Sequence, residues 1–196
     1  MIAGLILAAG ESRRMGRDKA LLLYRGRTFL ATIIANLRAA GVDRITVVLG
    51  HHAAAIQYAV DLSTVRVVIN TEYQRGQTSS LQAGLAAMSA DPPEAVILCL
   101  VDHPAISSEV FHRLKTVFES GHSSLLIPTH NGERGHPVAI PQSLFPELLA
   151  LLPVEPASAV IRRYRDTTQF MEVSDPGILL DVDDPETYER MEEGGR

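Results

Sequence analysis

The sequence is poor in several features on which particular protein classes depend. Cys99 is its one cysteine, which excludes an intramolecular disulfide and a thiolate-rich metal site. Positive charge is not in excess, since the formal net charge is -5, and the basic stripe that binds duplex nucleic acid is missing. The amino terminus has no basic leader and no apolar run long enough for a signal peptide or a membrane span. We therefore expect a cytoplasmic protein with no nucleic-acid partner and no membrane contact.

Boundaries between domains are also lacking. No Pro/Gly/Ser-rich or highly charged run interrupts the 196 residues, and no internal repeat is visible, so we expect residues 1–196 to form a single domain. Short apolar runs alternate with helical patterns along the chain, which is typical of a parallel sheet covered on both faces. The predicted fold class is therefore α/β.

The predicted elements follow from the spacing of apolar residues. Strands are predicted at Ile2–Ala8, Arg44–Leu49, Val65–Ile69, Ala95–Val101, Leu125–Pro128 and Pro137–Ile140. Helices are predicted at Thr28–Ala40, His52–Val60, Ser79–Met88, Ser108–Glu119, Ser143–Leu152, Ala157–Tyr164 and from Asp184 onward. The Asn131-Gly132 pair between the last two strands is a hairpin signal and predicts an antiparallel insertion in a mostly parallel sheet.

A glycine-bearing basic segment follows the first strand directly. Leu7–Lys19 contains two glycines, one serine and four cationic side chains. At the carboxyl end of a parallel strand, such a loop can direct N–H groups onto phosphate oxygens while Arg and Lys neutralise their charge. It matches neither the dinucleotide fingerprint nor the P-loop. The spacing therefore indicates a polyphosphate site, and a solvated basic loop is the alternative.

Acidic residues stand where a metal ion would be held beside such a loop. Asp102 ends the most hydrophobic strand, and hard carboxylate oxygens suit Mg²⁺. If Ile178–Leu180 continues as a strand, Asp181 and Asp183 share one face and one of them completes the site. The alternatives are turn or capping roles for Asp102 and a capped, solvated helix start for the late acids.

Two further segments carry polar groups with weaker signals. Asn70–Leu81 leaves the third strand and enters a helix through three hydroxyl residues, which suits contacts to a ribose, base edge or phosphate as well as ordinary capping. Gly132–Val138 contains His136 and is compatible with a plain turn. Spacing alone does not decide between these alternatives.

Taken together, these segments resemble the MobA-like nucleotidyltransferases, and most closely the molybdenum cofactor cytidylyltransferases. Four blocks match in order across nearly the whole chain: Leu7–Lys19, Asn70–Gly84, Leu100–Pro104, and Arg134–Val138 followed by Asp181–Glu186. The resemblance implies a Rossmann-like three-layer α/β/α fold. It also implies transfer of CMP from CTP to the phosphate of molybdopterin, with release of pyrophosphate and with Mg²⁺ as cofactor.

The resemblance assigns roles residue by residue. Catalysis falls to Lys19, Arg14 and Asp102, and Mg²⁺ binding to Asp102 with Asp183 or Asp181. The acceptor side is formed by His103, Arg134 and His136. The implied nucleotide-binding residues are Leu7, Ala8, Ala9, Gly10, Ser12, Arg14, Lys19, Asn70, Gly76, Ser79 and Ser80.

Two positions bear on the choice of substrates. Ala8-Ala9 gives the Leu-Ala-Ala-Gly form typical of the cytidylyl-transferring branch, whereas guanylyl-transferring relatives show Leu-Ala-Gly-Gly. His103 departs from the pattern, because many cytidylyltransferases of this group have Gln there. The expected partners are CTP or another NTP, a molybdopterin-type acceptor, and a recipient molybdoenzyme or its maturation chaperone. The alternatives are guanylyl transfer, a sugar or polyol phosphate acceptor, or a noncatalytic nucleotide-binding module.

Overall fold

The computed structural model describes residues 1–121, 124–152 and 154–194. Its strands are β1 (Ile2–Ala8), β2 (Leu23–Tyr24), β3 (Arg27–Thr28), β4 (Ile45–Leu49), β5 (Arg66–Ile69), β6 (Ala95–Leu100), β7 (Leu126–His130), β8 (Glu133–Arg134), β9 (Val138–Pro141) and β10 (Gln169–Glu172). Its α-helices are α1 (Phe29–Ala39), α2 (Ala53–Ala59), α3 (Gln77–Ala87), α4 (Ser108–Glu119), α5 (Phe145–Leu149), α6 (Ser158–Arg163) and α7 (Pro185–Gly194).

The main sheet has the strand order β10-β7-β9-β6-β1-β4-β5, with β8 paired to β7. The strands β6, β1, β4 and β5 are mutually parallel, and β9 runs antiparallel between β6 and β7. All residues of β1 are buried, as expected for a central strand covered on both faces. The predicted α/β class, with a mostly parallel sheet and an antiparallel insertion, is confirmed.

Helices cover both faces of this sheet. On one face α1 and α4 pack through Leu30, Ile33, Phe111 and Leu114, and α2 joins them. On the other face lie α3, α5 and α6. The three-layer α/β/α prediction is therefore confirmed. None of the helices in the described ranges combines the length and apolar character that crossing a membrane requires.

The antiparallel insertion differs in detail from the predicted hairpin. The Asn131-Gly132 turn does connect antiparallel strands, and both residues have positive φ (52° and 81°), as a tight hairpin turn requires. However, it joins β7 to the two-residue strand β8, and β9 starts only after the cis peptide bond between His136 and Pro137. The predicted strand at Pro137–Ile140 therefore exists as β9, with a short extra strand before it.

The expectation of a strand at Ile178–Leu180 is wrong. Pro176–Leu179 is a 3-10 helix, because the Asp175 carboxylate accepts hydrogen bonds from the backbone N–H groups of Gly177 and Ser107, each at 2.8 Å. Such local side-chain bonds compete with strand pairing. The strands β2, β3 and β10 were not predicted, since they are short or carry partly exposed polar residues.

Candidate functional site

The segment after β1 folds back on itself so that its last cation is buried. The Gly16 N–H donates to the Ser12 carbonyl at 2.9 Å, and the Lys19 N–H donates to Ser12 Oγ at 3.2 Å. Both Ser12 and Gly16 have positive φ, which permits the tight reversal. Lys19 is 8% exposed, so its ammonium group needs partners within the protein.

Those partners are two carboxylates from distant parts of the chain. Lys19 Nζ lies 3.1 Å from Asp102 Oδ2 at the end of β6 and 2.5 Å from Asp183 Oδ1 just before α7. Arg14 adds a hydrogen bond of 2.6 Å to Asp183 Oδ2. The bond from Lys19 holds the pKa of the Asp183 carboxyl below its ordinary value. The sequence-predicted catalytic residues are thus brought into one ion cluster with Asp183.

The carboxylates in this cluster retain capacity for a divalent cation. Asp102 Oδ1 is buried and has no hydrogen-bond partner among the described residues. An orphaned carboxylate oxygen in a cluster of two acids fits a hard cation that takes oxygen ligands. Asp181 is exposed, whereas Asp183 reaches Lys19. The backbone N–H of Val182 donates to the Asp102 carbonyl at 2.9 Å, which fixes this segment without a strand.

Two members of the ion cluster, Lys19 and Asp102, line a cleft of about 260 Å³. The sequence-predicted residues that line it are Leu7, Ala8, Ala9, Gly10, Ser12, Lys19, Gly76, Ser80 and Asp102. A Cβ on Gly10 would meet no atom within 4 Å, so there is open space beside this lining glycine. The amino end of α3 also lies there, which adds partial positive charge favourable to an anion.

Asn70 and Ser79 do not line the cleft but hydrogen-bond within the turn next to it. Asn70 is 5% exposed and donates from Nδ2 to Ser79 Oγ at 2.9 Å and to Ser80 Oγ at 3.0 Å. Ser79 Oγ in turn donates to the carbonyl oxygens of Glu72 and Gly76. These bonds order the turn that leads into α3, so the direct contacts expected from Asn70 and Ser79 stay predictions.

Sequence reasoning missed part of the cleft wall. The further lining residues include Asp18, Ile56, Tyr73 and Gln77. Gln77 is the first residue of α3 and Tyr73 begins a 3-10 turn, so their position next to the predicted Gly76–Ser80 segment was the available signal. Ile56 carried none, because a single apolar residue in a helix reads as core.

The acceptor side predicted from the sequence contains two packed imidazoles. The ring centroids of His103 and His136 are 4.8 Å apart, and the Nδ1 atoms of both rings are buried without a hydrogen-bond partner among the described residues. Burial lowers the pKa of His103 and lowers that of His136 to about 4. Both rings are therefore neutral near pH 7 and present unused donors or acceptors beside Asp102.

Arg134, the third predicted acceptor residue, lies at the edge of the sheet. It is exposed on β8, and its guanidinium carbon lies 4.7 Å from the centroid of the Phe170 ring on β10. Within the described ranges it forms no ion pair. The structure therefore brings His103 and His136 together but does not add Arg134 to that pair.

Known proteins resemble the chain over nearly its whole length. It is 32% identical to nicotine blue oxidoreductase of Paenarthrobacter nicotinovorans, over 97% of this chain and 96% of that protein. It is 26% identical to molybdenum cofactor cytidylyltransferase of Escherichia coli K12, over 94% of this chain and 92% of that protein.

Solved structures share the fold as well. The crystal structure of Rv0371c from Mycobacterium tuberculosis H37Rv aligns with a TM-score of 0.85 at 29% identity, covering 98% of this chain and 97% of that one. A manganese complex of Rv0371c aligns with a TM-score of 0.80 at 27% identity, with 98% of each chain covered. The sequence profile of the MobA-like NTP transferase domain matches residues 4–168, a span that holds the loop after β1, the amino end of α3 and Asp102. The chain therefore belongs to the MobA-like NTP transferase family.

Proposed function

We propose that this nucleotidyltransferase moves CMP from CTP to the terminal phosphate of molybdopterin and releases pyrophosphate. The observation that carries the proposal is the ion cluster of Lys19, Asp102 and Asp183, two of whose members line the cleft. A noncatalytic nucleotide-binding module would have no use for two carboxylates and a buried ammonium at the carboxyl edge of the sheet. The similarity to a cytidylyltransferase of the molybdenum cofactor supports the choice of substrates.

The reaction is a direct displacement at phosphorus. An oxygen of the acceptor phosphate forms a bond to the α-phosphorus of CTP, and the bond to the bridging oxygen breaks, so pyrophosphate leaves with the electron pair. Lys19 and Arg14 neutralise charge that grows on the leaving group. The loop at Gly10 and Ser12 holds the triphosphate, and the turn ordered by Asn70 positions the nucleoside. Positioning and charge neutralisation account for the catalysis.

Asp102 and Asp183 are the residues that would hold Mg²⁺, with Asp181 as the remaining candidate. When bound, the ion supplies charge neutralisation and orientation of phosphate oxygens. The unpartnered Asp102 Oδ1 and the manganese complex of Rv0371c support a divalent cation. His103 and His136, both neutral, would contact the acceptor, and Arg134 would contact it from the sheet edge.

The proposal is tested by measuring pyrophosphate release from CTP with Mg²⁺ and molybdopterin that carries molybdate. Asp102→Asn keeps the shape of the side chain and removes its charge, and we expect it to lower kcat by roughly 10²–10³. Asp43→Asn, at an exposed surface position, is the matched control and should turn over like the parent. Full turnover by the Asp102 variant would remove that carboxylate from the mechanism.

The proposed preference for CTP over GTP depends on the side chain of Ala9. Ala9 is 4% exposed and lines the cleft, so its methyl group limits the room for a purine. We expect kcat/KM for CTP to exceed that for GTP, and Ala9→Gly to shift the ratio toward GTP. A parent enzyme that prefers GTP would contradict the cytidine assignment and favour guanylyl transfer.

The acceptor is tested separately. A panel of molybdopterin, sugar phosphates and polyol phosphates, each assayed for pyrophosphate release, identifies the acceptor whether or not CTP is the nucleotide. We expect molybdopterin to give the highest kcat/KM. Faster turnover with a sugar or polyol phosphate would retain the transferase chemistry and replace the acceptor.

A second candidate is oxidoreduction of nicotine blue, favoured by the full-length similarity to the oxidoreductase of that name. The dye is coloured, so its loss in the presence of a nicotinamide reductant can be followed directly. We expect no change above the rate without protein. Catalysed bleaching that survives Asp102→Asn would establish a redox activity independent of the ion cluster.

A further inference from the structure

A second group of metal-ligating side chains lies at the rim of the cleft, apart from the Asp102–Asp183 carboxylates. It consists of Asp18, His51 and His52, and one ligand atom from each lies within 4.8 Å of the others. His52 Nδ1 is 3.0 Å from Asp18 Oδ2, and the two imidazole centroids are 3.7 Å apart. Neither the family resemblance nor the proposed reaction uses these histidines.

The backbone after β4 is shaped so that neighbouring histidines lie together. Successive side chains of an extended strand point to opposite sides, but His52 adopts the left-handed conformation with φ 50° and ψ 28°. The turn is held against the loop after β1, because the His51 N–H donates to the Ala9 carbonyl at 3.1 Å. A Cβ on Gly50 would lie 2.8 Å from that carbonyl and 2.7 Å from Tyr73 Cβ, so only glycine permits this approach.

The charge of Asp18 is available to a cation. The cations of the same loop have other partners, since Arg14 bonds to Asp183 and Arg13 pairs with Glu11. Among the described residues Asp18 has no lysine or arginine partner, and its carboxylate faces the His52 ring. The Asp18 carboxylate therefore supplies a negative charge beside the two imidazoles.

The chemical types of the three side chains indicate which class of metal ion they would bind. Imidazole with one carboxylate suits borderline divalent transition metals, whereas Mg²⁺ prefers oxygen ligands alone. Bonds of about 2.0–2.2 Å in a tetrahedral site place ligand atoms roughly 3.4 Å apart, a separation that small rotations within this cluster can reach. Three protein ligands leave one position open, and the exposed His52 ring directs that position toward solvent.

We propose that Asp18, His51 and His52 form a binding site for a zinc-like divalent ion, separate from the magnesium carboxylates. An ion there would join the end of β4 to the loop that carries Lys19. Metal binding at this site requires neither nucleotide nor acceptor, so this proposal can be tested independently of the proposed reaction.

The test is a titration of the untagged, chelator-treated protein with Co²⁺, followed by visible absorption. We expect one equivalent to bind with the bands of a nitrogen–oxygen site. His51→Gln and Asp18→Asn should each weaken this binding at least tenfold. His52→Asn should do the same, and asparagine tolerates the left-handed backbone, which keeps the turn intact.

Two controls locate the ion. His112→Gln removes an exposed histidine of α4 and should leave the titration unchanged. The nitrogen–oxygen absorption bands should persist in the double variant Asp102→Asn with Asp183→Asn, which removes the carboxylates proposed to hold Mg²⁺. Zn²⁺ should also raise the Tm of the parent but not of His51→Gln. The proposal would be overturned if Co²⁺ showed no saturable binding. It would also be overturned if His51→Gln and His52→Asn bound Co²⁺ as tightly as the parent does.

Discussion

On the side of the cleft that is proposed to bind the nucleotide, here called the nucleotide side, Lys19 lies between the carboxylates of Asp102 and Asp183. On the proposed acceptor side, His103 and His136 are packed together with their Nδ1 atoms buried and unpartnered within the described ranges. One side thus consists of opposite charges already bonded to each other. The other consists of uncharged rings with hydrogen-bonding capacity to spare, although Asp102 and His103 are adjacent in sequence.

The difference indicates how the two substrates would be handled. A triphosphate carries charge that must be neutralised, and fixed charges neutralise it without reorganisation during the reaction. An acceptor needs to be distinguished from similar molecules, and unpaired polar groups provide this because they penalise any ligand that leaves them unsatisfied. We therefore expect changes on the charged side to lower kcat and changes on the neutral side to alter acceptor recognition.

The strongest test of this difference between the two sides is to remove the charge of Lys19. Lys19→Met retains the apolar stem and leaves two acids facing one another, and we expect kcat to fall by roughly 10²–10³. Lys115→Met is the control, since that lysine pairs with Glu119 on the exposed side of α4. Turnover would be measured by pyrophosphate release. If kcat stays within twofold, fixed charge is not what the nucleotide side contributes.

The neutrality of the histidine pair has a consequence for stability. Because burial lowers the pKa of His136 to about 4 from 6.5, the unfolded chain binds a proton at that residue more readily than the folded one. The free energy of unfolding should therefore fall as pH drops from about 6.5 to about 4, by up to about 1.4 kcal/mol per pH unit. Urea unfolding of the parent and of His136→Gln would measure this.

His136→Gln should show a flatter dependence over that window, whereas His112→Gln should match the parent. The lowered pKa of His103 acts in the same direction, so the dependence will be reduced but not removed. Equal slopes for the parent and the His136 variant would mean that folding does not change the pKa of this ring, and the contrast between the two sides would weaken.

His103→Gln tests the difference at the point where the two sides meet, because His103 follows Asp102 in the sequence. Glutamine is the residue found there in many cytidylyltransferases of this group, and it offers a donor and an acceptor in place of the ring. We expect KM for the acceptor to change by up to about tenfold, within the range of one altered hydrogen bond. KM for CTP should stay within twofold. The reverse result would place His103 on the nucleotide side.

The smallest effect is expected at Arg134. Its exposed contact with Phe170 is worth about 0.5–1 kcal/mol at most, so Arg134→Ala should change stability little and acceptor KM by no more than about twofold. A tenfold rise in acceptor KM would show that the guanidinium leaves the ring to bind the acceptor.

Much of this arrangement could be predicted from local patterns. The apolar runs gave β1, β4 and β6, whose carboxyl ends determine where Lys19 and Asp102 lie, because parallel strands end at one edge of a sheet. The strand argument for Asp181 or Asp183 was wrong, since the expected strand is a 3-10 helix capped by Asp175, and the choice of Asp183 came from the resemblance. Roles for individual site residues, and a single domain over 1–196, stay predictions.

Other features depend on contacts that no local pattern encodes. The rings of His103 and His136 meet because β9 inserts next to β6, and the resemblance alone suggested their proximity. Asn70 was expected to touch the nucleoside, yet its amide is used by Ser79 and Ser80. The group of Asp18, His51 and His52 depends on a left-handed residue that sequence spacing does not reveal.

The bond between Lys19 and Asp183 joins positions 164 residues apart, which has a consequence for how the protein is made. Contacts of such long sequence separation are slow to form, because the entropy of closing the loop must be overcome first. An intermediate with β1, β4 and β6 already paired would hold Lys19 and Asp102 but not Asp183. The complete ion cluster therefore requires both ends of the chain to be in place, and a partly folded chain that lacks the Asp183 segment cannot present it.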